Sequence, residues 1–214
     1  MQRLRLTFGR GEPVKYISHL DLIRLWERAL RRASLPLAYS QGFNPRPRFM
    51  VASPLPVGVT SEAELIDLYL ARRIHPQEVQ NRLTPQLPPG IALHRVEEVA
   101  LDEPSLQSQV RSAEYIVTVE TEVPEDEVRE AIKELLSASS LPRERLREGK
   151  PHFYDLRPLV QRLWLIGCER PYCCIGMRLR AEGGATGRPE EVARALGLHK
   201  VRAIHRSAII FDGA

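Results

Sequence analysis

Hydrophobic and polar positions alternate with a period of two at the start of the chain and then change to a helical period. Over residues 2–8, the apolar positions are Leu4, Leu6 and Phe8, and the polar positions between them are Arg3, Arg5 and Thr7. Further along, apolar residues recur at intervals of three and four: Leu22, Leu25, Trp26, Ala29, Leu30 and Ala33. These periods predict a half-buried strand followed by an amphipathic helix.

The predicted helix has a clear start, a clear end and a basic side. Ser18 is a good N-cap, and Asp21 suits the positive end of the helix dipole, so the helix begins near His19. Pro36 ends it, since the residue before a proline avoids helical geometry. The side opposite the apolar residues carries four arginines: Arg24, Arg28, Arg31 and Arg32.

The rest of the first half completes a β-α-β-β-α-β order. The predicted elements after the first helix are a strand over 48–54, a strand over 62–70, a helix from Pro76 to about Leu83 and a strand over 90–101. On the strand over 62–70, Leu65, Asp67 and Tyr69 share one face. Residues 102–112 are polar without a clear period, so they are predicted to be a linker.

The second half has the same order of elements, without a repeat at the level of residues. Its predicted elements are a strand over 115–120, a helix from Pro124, apolar segments over 156–167 and 173–182, a helix over 188–196 and a strand over 201–211. The prediction is therefore an α+β protein with two tandem ferredoxin-like (βαββαβ) modules with antiparallel sheets, at 1–101 and 113–214.

Composition narrows the possible classes of protein. The chain has 214 residues, of which 43% are hydrophobic and 27% charged, as is ordinary for a soluble globular protein. Its net charge of +4 favours an anionic partner without requiring one. Neither a signal segment nor an apolar run of about twenty residues occurs, so we expect a cytoplasmic protein without a membrane partner.

A stiff loop after the first helix carries the first candidate binding residues. Gly42 permits a positive φ, and Pro45 and Pro47 hold the chain extended. The candidates here are Tyr39, Ser40, Gln41, Phe43, Asn44, Arg46 and Arg48, together with Arg24, Arg28 and Arg31 of the helix. Arginine and asparagine can contact phosphates or base edges, and aromatic rings can stack on bases. The alternative is an ordinary connection whose polar groups are solvated.

A second basic and aromatic segment spans 141–157, LPRERLREGKPHFYDLR. Its cations are interleaved with His152, Phe153 and Tyr154, as a surface for single-stranded nucleic acid requires. The candidate binding residues are Lys150, Asp155 and Arg157. The alternatives are a solvated hairpin or loop, and an internal Asp155–Arg157 ion pair that shapes the turn.

Candidates for catalysis are weak. His19 and Asp21 share the first helical turn, and Asp67 lies on a strand, but no nucleophile–base set follows from their spacing. The six histidines form no ligand pair, so the sequence predicts no metal and no cofactor. Gly183 and Gly184 precede a helix in a segment without the Lys-Ser/Thr of a P-loop, which favours a flexible turn over an anion site.

Three cysteines, Cys168, Cys173 and Cys174, are too few and too crowded for a disulfide framework. Their spacing is not typical of a zinc or iron–sulfur site, so buried or surface thiols are predicted. The C-x3-C-x2-C signature of radical SAM enzymes is absent. Any radical chemistry would therefore belong to a partner.

Several motifs resemble one family. Y-I-S-H-L-D at 16–21, E-R-A-L-R-R-A at 27–33, L-P-L-A-Y-S-Q-G-F-N-P-R-P-R at 35–48, S-P-L-P-V-G-V-T-S-E at 53–62 and D-L-R-P at 155–158 are similar to the radical-SAM-linked (radical-SAM-associated) protein family. That family is a domain of unknown function, fused to or encoded beside cobalamin-binding-type radical SAM proteins. The resemblance implies a separately encoded radical SAM partner and ranks Asp155 and Arg157 above the neighbouring arginines.

Three functions remain open from the sequence. The first is a non-catalytic accessory module that binds RNA or a ribonucleoprotein and presents it to the radical SAM partner. The second is an RNA-cleaving or RNA-modifying enzyme that uses His19 with Tyr39 or Asp67. The third is a protein–protein adaptor that binds no nucleic acid. Tandem ferredoxin-like modules also occur in CRISPR repeat-processing endoribonucleases and some tRNA pseudouridine synthases, an analogy of fold alone.

Overall fold

The computed structural model describes residues 1–147, 150–182 and 185–211, without the side chains at positions 145–147, 150, 152 and 185. The chain divides into two compact units, unit 1 over residues 1–110 and unit 2 over residues 111–214.

Unit 1 contains four strands and three α-helices among its described residues. Their bounds are β1 (Gln2–Arg10), α1 (His19–Arg32), β2 (Phe49–Val51), β3 (Thr60–Leu70), α2 (Pro76–Leu83), β4 (Ile91–Val99) and α3 (Leu106–Gln109). Short 3-10 turns lie at Glu12–Val14 and Thr84–Gln86. The strand order is β4–β1–β3–β2, and each neighbouring pair is antiparallel.

The core of unit 1 lies between this sheet and its helices. The inward residues of β1 and β3, among them Leu6 and Leu68, are fully buried. The predicted apolar face of α1 covers them, and the rings of Phe8 and Trp26 meet edge to face at 4.8 Å. The helix begins after Ser18, whose hydroxyl accepts the Asp21 N–H, so the predicted N-cap is confirmed.

Unit 2 contains seven strands and two α-helices among its described residues. Their bounds are β5 (Val110–Glu120), α4 (Glu125–Ser137), β6 (Pro142–Arg147), β7 (Lys150–Asp155), β8 (Val160–Glu169), β9 (Tyr172–Glu182), β10 (Ala185–Thr186), α5 (Pro189–Ala195) and β11 (Lys200–Phe211). Its strand order is β11–β5–β9–β8, with β10 also paired to β9. Strands β6 and β7 form a separate two-stranded sheet.

The predicted α+β class is confirmed, and the differences are local. The second strand, predicted over 48–54, ends at Val51 in a segment that carries Pro54 and Pro56. The segment predicted as a linker, 102–112, contains α3 and the start of β5. Within the described part of the chain, no helix is both long enough and apolar enough to cross a membrane.

Candidate nucleic-acid interface

Residues 38–48 form a hairpin, here called the 38–48 hairpin, that is fixed to the sheet by main-chain hydrogen bonds. Within it, Arg48 N–H donates to the Ala38 carbonyl at 2.7 Å, and Ser40 N–H donates to the Arg46 carbonyl at 2.9 Å. At its base, the backbone of Tyr69 on β3 accepts from Ala38 N–H at 2.9 Å and donates to the Arg48 carbonyl at 3.0 Å. The loop predicted from the glycine and prolines is therefore an ordered hairpin.

The tip of the hairpin consists of exposed residues, 41–45. Phe43 is fully exposed at its apex. Gly42 makes the turn with φ of 121°, a conformation that other residues rarely adopt. Gln41 and Asn44, close to Phe43 in sequence, are exposed and carry amide groups that both donate and accept hydrogen bonds. The tip thus presents one aromatic face beside two amides.

The two arginines of the hairpin have different environments. The Arg48 guanidinium lies over the Tyr69 ring, 4.2 Å from its centroid, in a cation–π contact. Arg46 is exposed, and its guanidinium has no hydrogen-bond partner among the described residues. Arg46 is therefore the hairpin cation that remains available to an anion.

Helix α1 carries the second basic surface of unit 1, which borders a surface groove of about 360 Å³. The groove is lined by Asp21, Arg24, Leu25, Arg28, Arg32 and Pro88. Arg24 bonds to Asp21 at 3.2 Å, and Arg32 donates to the Gln86 carbonyl at 2.6 Å. In the part of the chain that the structure describes, Arg28 and Arg31 are exposed without such partners. These two side chains can thus turn toward a phosphate without first breaking a contact.

His19 and Asp21, the weak catalytic candidates on α1, do not bond to each other within the described residues. The Asp21 carboxylate accepts from the Ser18 hydroxyl at 2.7 Å and from Arg24, and these bonds lower the pKa of that carboxyl. Nδ1 of His19 is buried and has no hydrogen-bond partner in the described structure. The contacts of Asp21 are those of a helix-capping residue.

Asp67, the third catalytic candidate, lies in a buried ion cluster. Arg3 donates to Asp67 Oδ2 from Nη2 at 2.5 Å and from Nε at 2.9 Å, and Arg5 donates to Oδ1 at 2.9 Å. The side chains of Arg3 and Asp67 are each 1% exposed. Arg3 also donates to the carbonyls of Glu103 at 2.7 Å and Pro104 at 2.9 Å. The segment after β4 therefore covers this face of the sheet, where other sheet modules stack bases.

Arg10 is a structural residue that the sequence analysis missed. It is fully buried and donates to four main-chain carbonyls, those of Val14, Lys15, Ile17 and Leu55. The loop around 55–58 is held to the segment before α1, and Gly58 N–H also donates to the Lys15 carbonyl at 2.8 Å. The sequence contained a signal for this role. Arg10 follows Leu4, Leu6 and Phe8 at the same spacing of two, so it lies on the buried face of β1 with them.

Two exposed apolar residues result from this arrangement. Tyr16 is 72% exposed and Val57 is 59% exposed. A Cβ on Gly58 would lie 3.8 Å from the Tyr16 ring, so Tyr16 lies against the loop that carries Val57. Two motifs singled out in the sequence, 16–21 and 53–62, thus meet in space.

In unit 2, the basic segment forms the β6–β7 hairpin, whose base is fixed by Asp155. Its Oδ1 accepts from Leu141 N–H at 2.7 Å and Arg157 N–H at 3.0 Å, and these bonds lower the pKa of the carboxyl. The Arg157 guanidinium donates to the carbonyls of Leu136 and Val160, each at 2.8 Å. The Lys150 side chain lies outside the described part of the chain. Asp155 and Arg157 therefore make contacts that shape the base of the hairpin.

The aromatic residues of this hairpin differ in their contacts. Phe153 on β7 is 73% exposed. The Tyr154 hydroxyl donates to a carboxylate oxygen of Glu191 on α5. A side-chain hydrogen bond thus attaches the β6–β7 hairpin to the rest of unit 2.

The prediction of free thiols is wrong for two of the three cysteines. Cys168 and Cys173 form a disulfide because they are direct register partners on the antiparallel strands β8 and β9. Cys174 is a free thiol, with its sulfur 3.6 Å from the Thr118 hydroxyl. Gly183 and Gly184 lie outside the described residues, and the described residues contain no cluster of three or more metal-ligating side chains.

Solved structures resemble this fold at low sequence identity. A chain in the crystal structure of a Cbf5–Nop10–Gar1 complex has a TM-score of 0.54 at 9% identity, over 96% of this chain and 48% of that chain. A chain in the archaeal box H/ACA sRNP Nop10–Cbf5 complex has a TM-score of 0.50 at 12% identity, over 95% of this chain and 46% of that chain. A chain in an H/ACA RNP bound to a substrate RNA containing 2′-deoxyuridine has a TM-score of 0.51 at 11% identity, over 95% of this chain and 46% of that chain.

These comparisons show a shared fold, and this chain spans about half the length of the chains it matches. No curated protein matches the sequence. Residues 3–189 match the family described as uncharacterized protein conserved in bacteria (DUF2344), which is most of the chain, and the protein therefore belongs to that family.

Proposed function

We propose that the protein is an accessory module that binds RNA or a ribonucleoprotein and works with a radical SAM partner enzyme in RNA modification or processing. The observation that carries this proposal is the 38–48 hairpin. An ordered hairpin places a fully exposed aromatic ring beside two amides and an unengaged arginine. Aromatic groups for bases beside cations for phosphates are what a single-stranded nucleic acid needs.

Two further observations support RNA as the ligand. Arg28 and Arg31 on α1 add exposed guanidinium groups to unit 1, and three of the six residues that line the α1 groove are arginines. Two of the similar solved structures are described as H/ACA ribonucleoprotein complexes, and one of these is bound to a substrate RNA. This likeness raises the expectation of an RNA ligand by analogy of fold.

The proposal includes a more specific fold for each unit. We treat the units as tandem ferredoxin-like modules, with the β6–β7 hairpin inserted between the first helix and second strand of unit 2's β-α-β-β-α-β order. In unit 1, the segment after β4 covers the sheet face at Arg3. The proposed RNA surface is therefore the hairpin and α1, not the sheet.

The test measures RNA binding by wild type and by a double variant, Arg28→Ala/Arg46→Ala. The guanidinium groups of both arginines lack hydrogen-bond partners among the described residues, and both residues are exposed, so the variant should fold normally. We expect the affinity for a 12-nucleotide single strand to fall at least about tenfold. Loss of two phosphate contacts should also reduce the slope of log K against log salt by about 1.4.

A charge-matched control separates a specific surface from general attraction. Arg73 and Arg129 are exposed arginines paired with Glu98 and Glu125, so Arg73→Ala/Arg129→Ala removes the same net charge elsewhere. We expect the control to bind RNA nearly as wild type does. Equal losses in both double variants, or no binding by wild type, would refute the proposed surface. Arg157 is unsuitable for this test because it bonds to two carbonyls.

A second candidate function is a protein–protein adaptor for the radical SAM enzyme without nucleic-acid binding. The observation that favours it is the exposed pair Tyr16 and Val57, which Arg10 and its carbonyl contacts hold in place. Exposed aromatic and aliphatic side chains on an ordered framework are typical of protein interfaces. We expect Tyr16→Ala/Val57→Ser to weaken binding of the purified partner enzyme at least about tenfold without changing RNA affinity. RNA binding that falls equally would contradict this separation.

A further inference from the structure

We infer that the tip of the 38–48 hairpin binds an unpaired nucleobase, with the Phe43 ring stacked on the base. This inference rests on the proposed function and narrows it to single-stranded segments, loops or bulges of RNA. Duplex RNA is excluded as the ligand of the tip, because bases in a duplex already stack on each other and its major groove is deep and narrow.

The position of Phe43 is the first argument. The ring is fully exposed at the apex of the turn. The residues before and after the tip are joined by the Ser40–Arg46 and Ala38–Arg48 main-chain bonds. The Ser40 hydroxyl also accepts the Arg46 N–H at 3.1 Å. The ring is therefore held away from the body of unit 1 by an ordered support, and stacking on it costs little ordering of the loop.

The groups beside the ring are the second argument. Gln41 and Asn44 each offer an amide oxygen and an amide N–H₂, which match the mixed donors and acceptors on the edge of a base. Arg46 follows directly after the tip with an exposed guanidinium. A nucleotide stacked on Phe43 thus has groups of suitable chemistry for its base edge and its phosphate within the same short hairpin.

An apolar pocket of a protein is the other ligand that an exposed phenylalanine suits. The composition of the tip favours RNA, because Phe43 is its only large apolar side chain and its neighbours include Gln41, Asn44 and Arg46. Protein hot spots are instead surrounded by contacts that exclude water. The test below makes a protein ligand one of its outcomes.

The experiment uses the full chain and three probes of equal length. They are a 12-nucleotide oligoadenylate, a ribose–phosphate strand of that length without bases, and a blunt RNA duplex. The variants are Phe43→Ala, the conservative Phe43→Tyr and the control Tyr172→Ala, which removes a 46% exposed aromatic side chain from unit 2 outside both candidate binding segments. Because Phe43 is fully exposed, its substitution should leave the melting temperature unchanged.

We expect Phe43→Ala to bind oligoadenylate about tenfold more weakly than wild type, since stacking on one aromatic side chain has an effect of about that size or more. Binding of the strand without bases should be weak in wild type and unchanged in Phe43→Ala. Phe43→Tyr should keep wild-type affinity, and Tyr172→Ala should behave as wild type on every probe. Wild type should prefer oligoadenylate to the duplex.

The outcomes separate this inference from the proposed function. If Phe43→Ala binds as wild type while Arg28→Ala/Arg46→Ala still binds weakly, base stacking is refuted, RNA binding stands, and a protein ligand for Phe43 becomes the explanation. An equal loss on the strand without bases also refutes stacking, because no base is present. If wild type binds none of the three probes, both proposals fail.

Discussion

Two hairpins, one in each unit, carry an exposed phenylalanine next to basic residues, yet they are attached in different ways. The 38–48 hairpin is joined to β3 through main-chain hydrogen bonds at Tyr69. The β6–β7 hairpin forms its own two-stranded sheet, whose base is closed by a main-chain bond from Leu156 to Leu141. The side chains of Asp155, Arg157 and Tyr154 add the described bonds around this base and to the rest of unit 2. One attachment is independent of ionisation, and the other depends in part on ionised groups.

This difference bears on which hairpin can present a ligand group in a fixed position. Main-chain bonds within a sheet persist as long as the sheet does, whereas side-chain attachments can be lost one at a time. The 38–48 hairpin is therefore the better-organised surface. Four predictions test this comparison, in order of decreasing effect.

The largest effect is expected from Asp67→Ala, which acts on the strand that supports the 38–48 hairpin. Asp67 pairs with Met50 across β2 and β3 and is the counterion of buried Arg3. Its removal leaves that buried cation without its counterion, at a cost of about 3–5 kcal/mol in the free energy of unfolding. Urea unfolding measures this change in the free energy of unfolding. The control is Asp126→Ala, at an exposed position on α4, and equal free energies for the two variants would contradict the prediction.

The second effect is expected from Gly42→Ala, which changes the tip of the hairpin alone. A Cβ at Gly42 meets no atom within 4 Å, so only the φ of 121° opposes alanine. Strain of about 1–2 kcal/mol should follow, or a rearranged tip with weaker RNA binding. Thermal unfolding and RNA titration measure these effects. Gly167→Ala, at an open position without positive φ, should change neither, and a neutral Gly42→Ala would show that the tip is adaptable.

The third effect is expected from Tyr154→Phe in unit 2. It removes the hydroxyl that donates to Glu191 and should lower the free energy of unfolding by about 1 kcal/mol. Hydrogen exchange should rise at the amides of β6 and β7 while those of Ala38 and Arg48 stay protected. Faster exchange in both hairpins would mean that their attachments do not differ as described.

The smallest effect is a pH dependence that the β6–β7 hairpin shows and the 38–48 hairpin lacks. Because the pKa of Asp155 is lowered in the folded protein, its stabilising contribution is present above about pH 4, the value of an unperturbed aspartate. The contribution is lost as pH falls through the lower folded value. Amide chemical shifts of Leu141 and Arg157 between pH 5 and 3 measure the loss, and Asp155→Asn should abolish it. Parallel shifts at Ala38 and Arg48 would contradict the difference between hairpins.

The parts of the fold that depend on local sequence were predictable. The N-cap at Ser18 and the three-four spacing that buries Trp26 involve residues within one or two turns of each other. Short-range geometry fixes these features, so one segment of sequence contains the information. The α+β class follows from the order of such segments.

The contacts that define the candidate site required pairings between distant strands. Arg3 and Asp67 are 64 residues apart and meet because Arg3 lies opposite Tyr69, and Arg5 opposite Asp67, in the β1–β3 register. Cys168 and Cys173 are close in sequence, but their disulfide depends on the register of β8 and β9. The sequence placed candidate residues in the 39–48 loop without indicating that the backbone of Tyr69 would anchor it.

The contacts of Arg3 have a practical consequence for anyone who expresses the first unit alone. A fragment that stops at residue 101, where the last predicted strand of that half ends, would lack the Glu103 and Pro104 carbonyls, so the Arg3 guanidinium would lose both its cover and two protein acceptors. Each missing bond of this kind costs about 1–3 kcal/mol. A fragment that extends to residue 110 keeps these bonds and should be the more stable of the two.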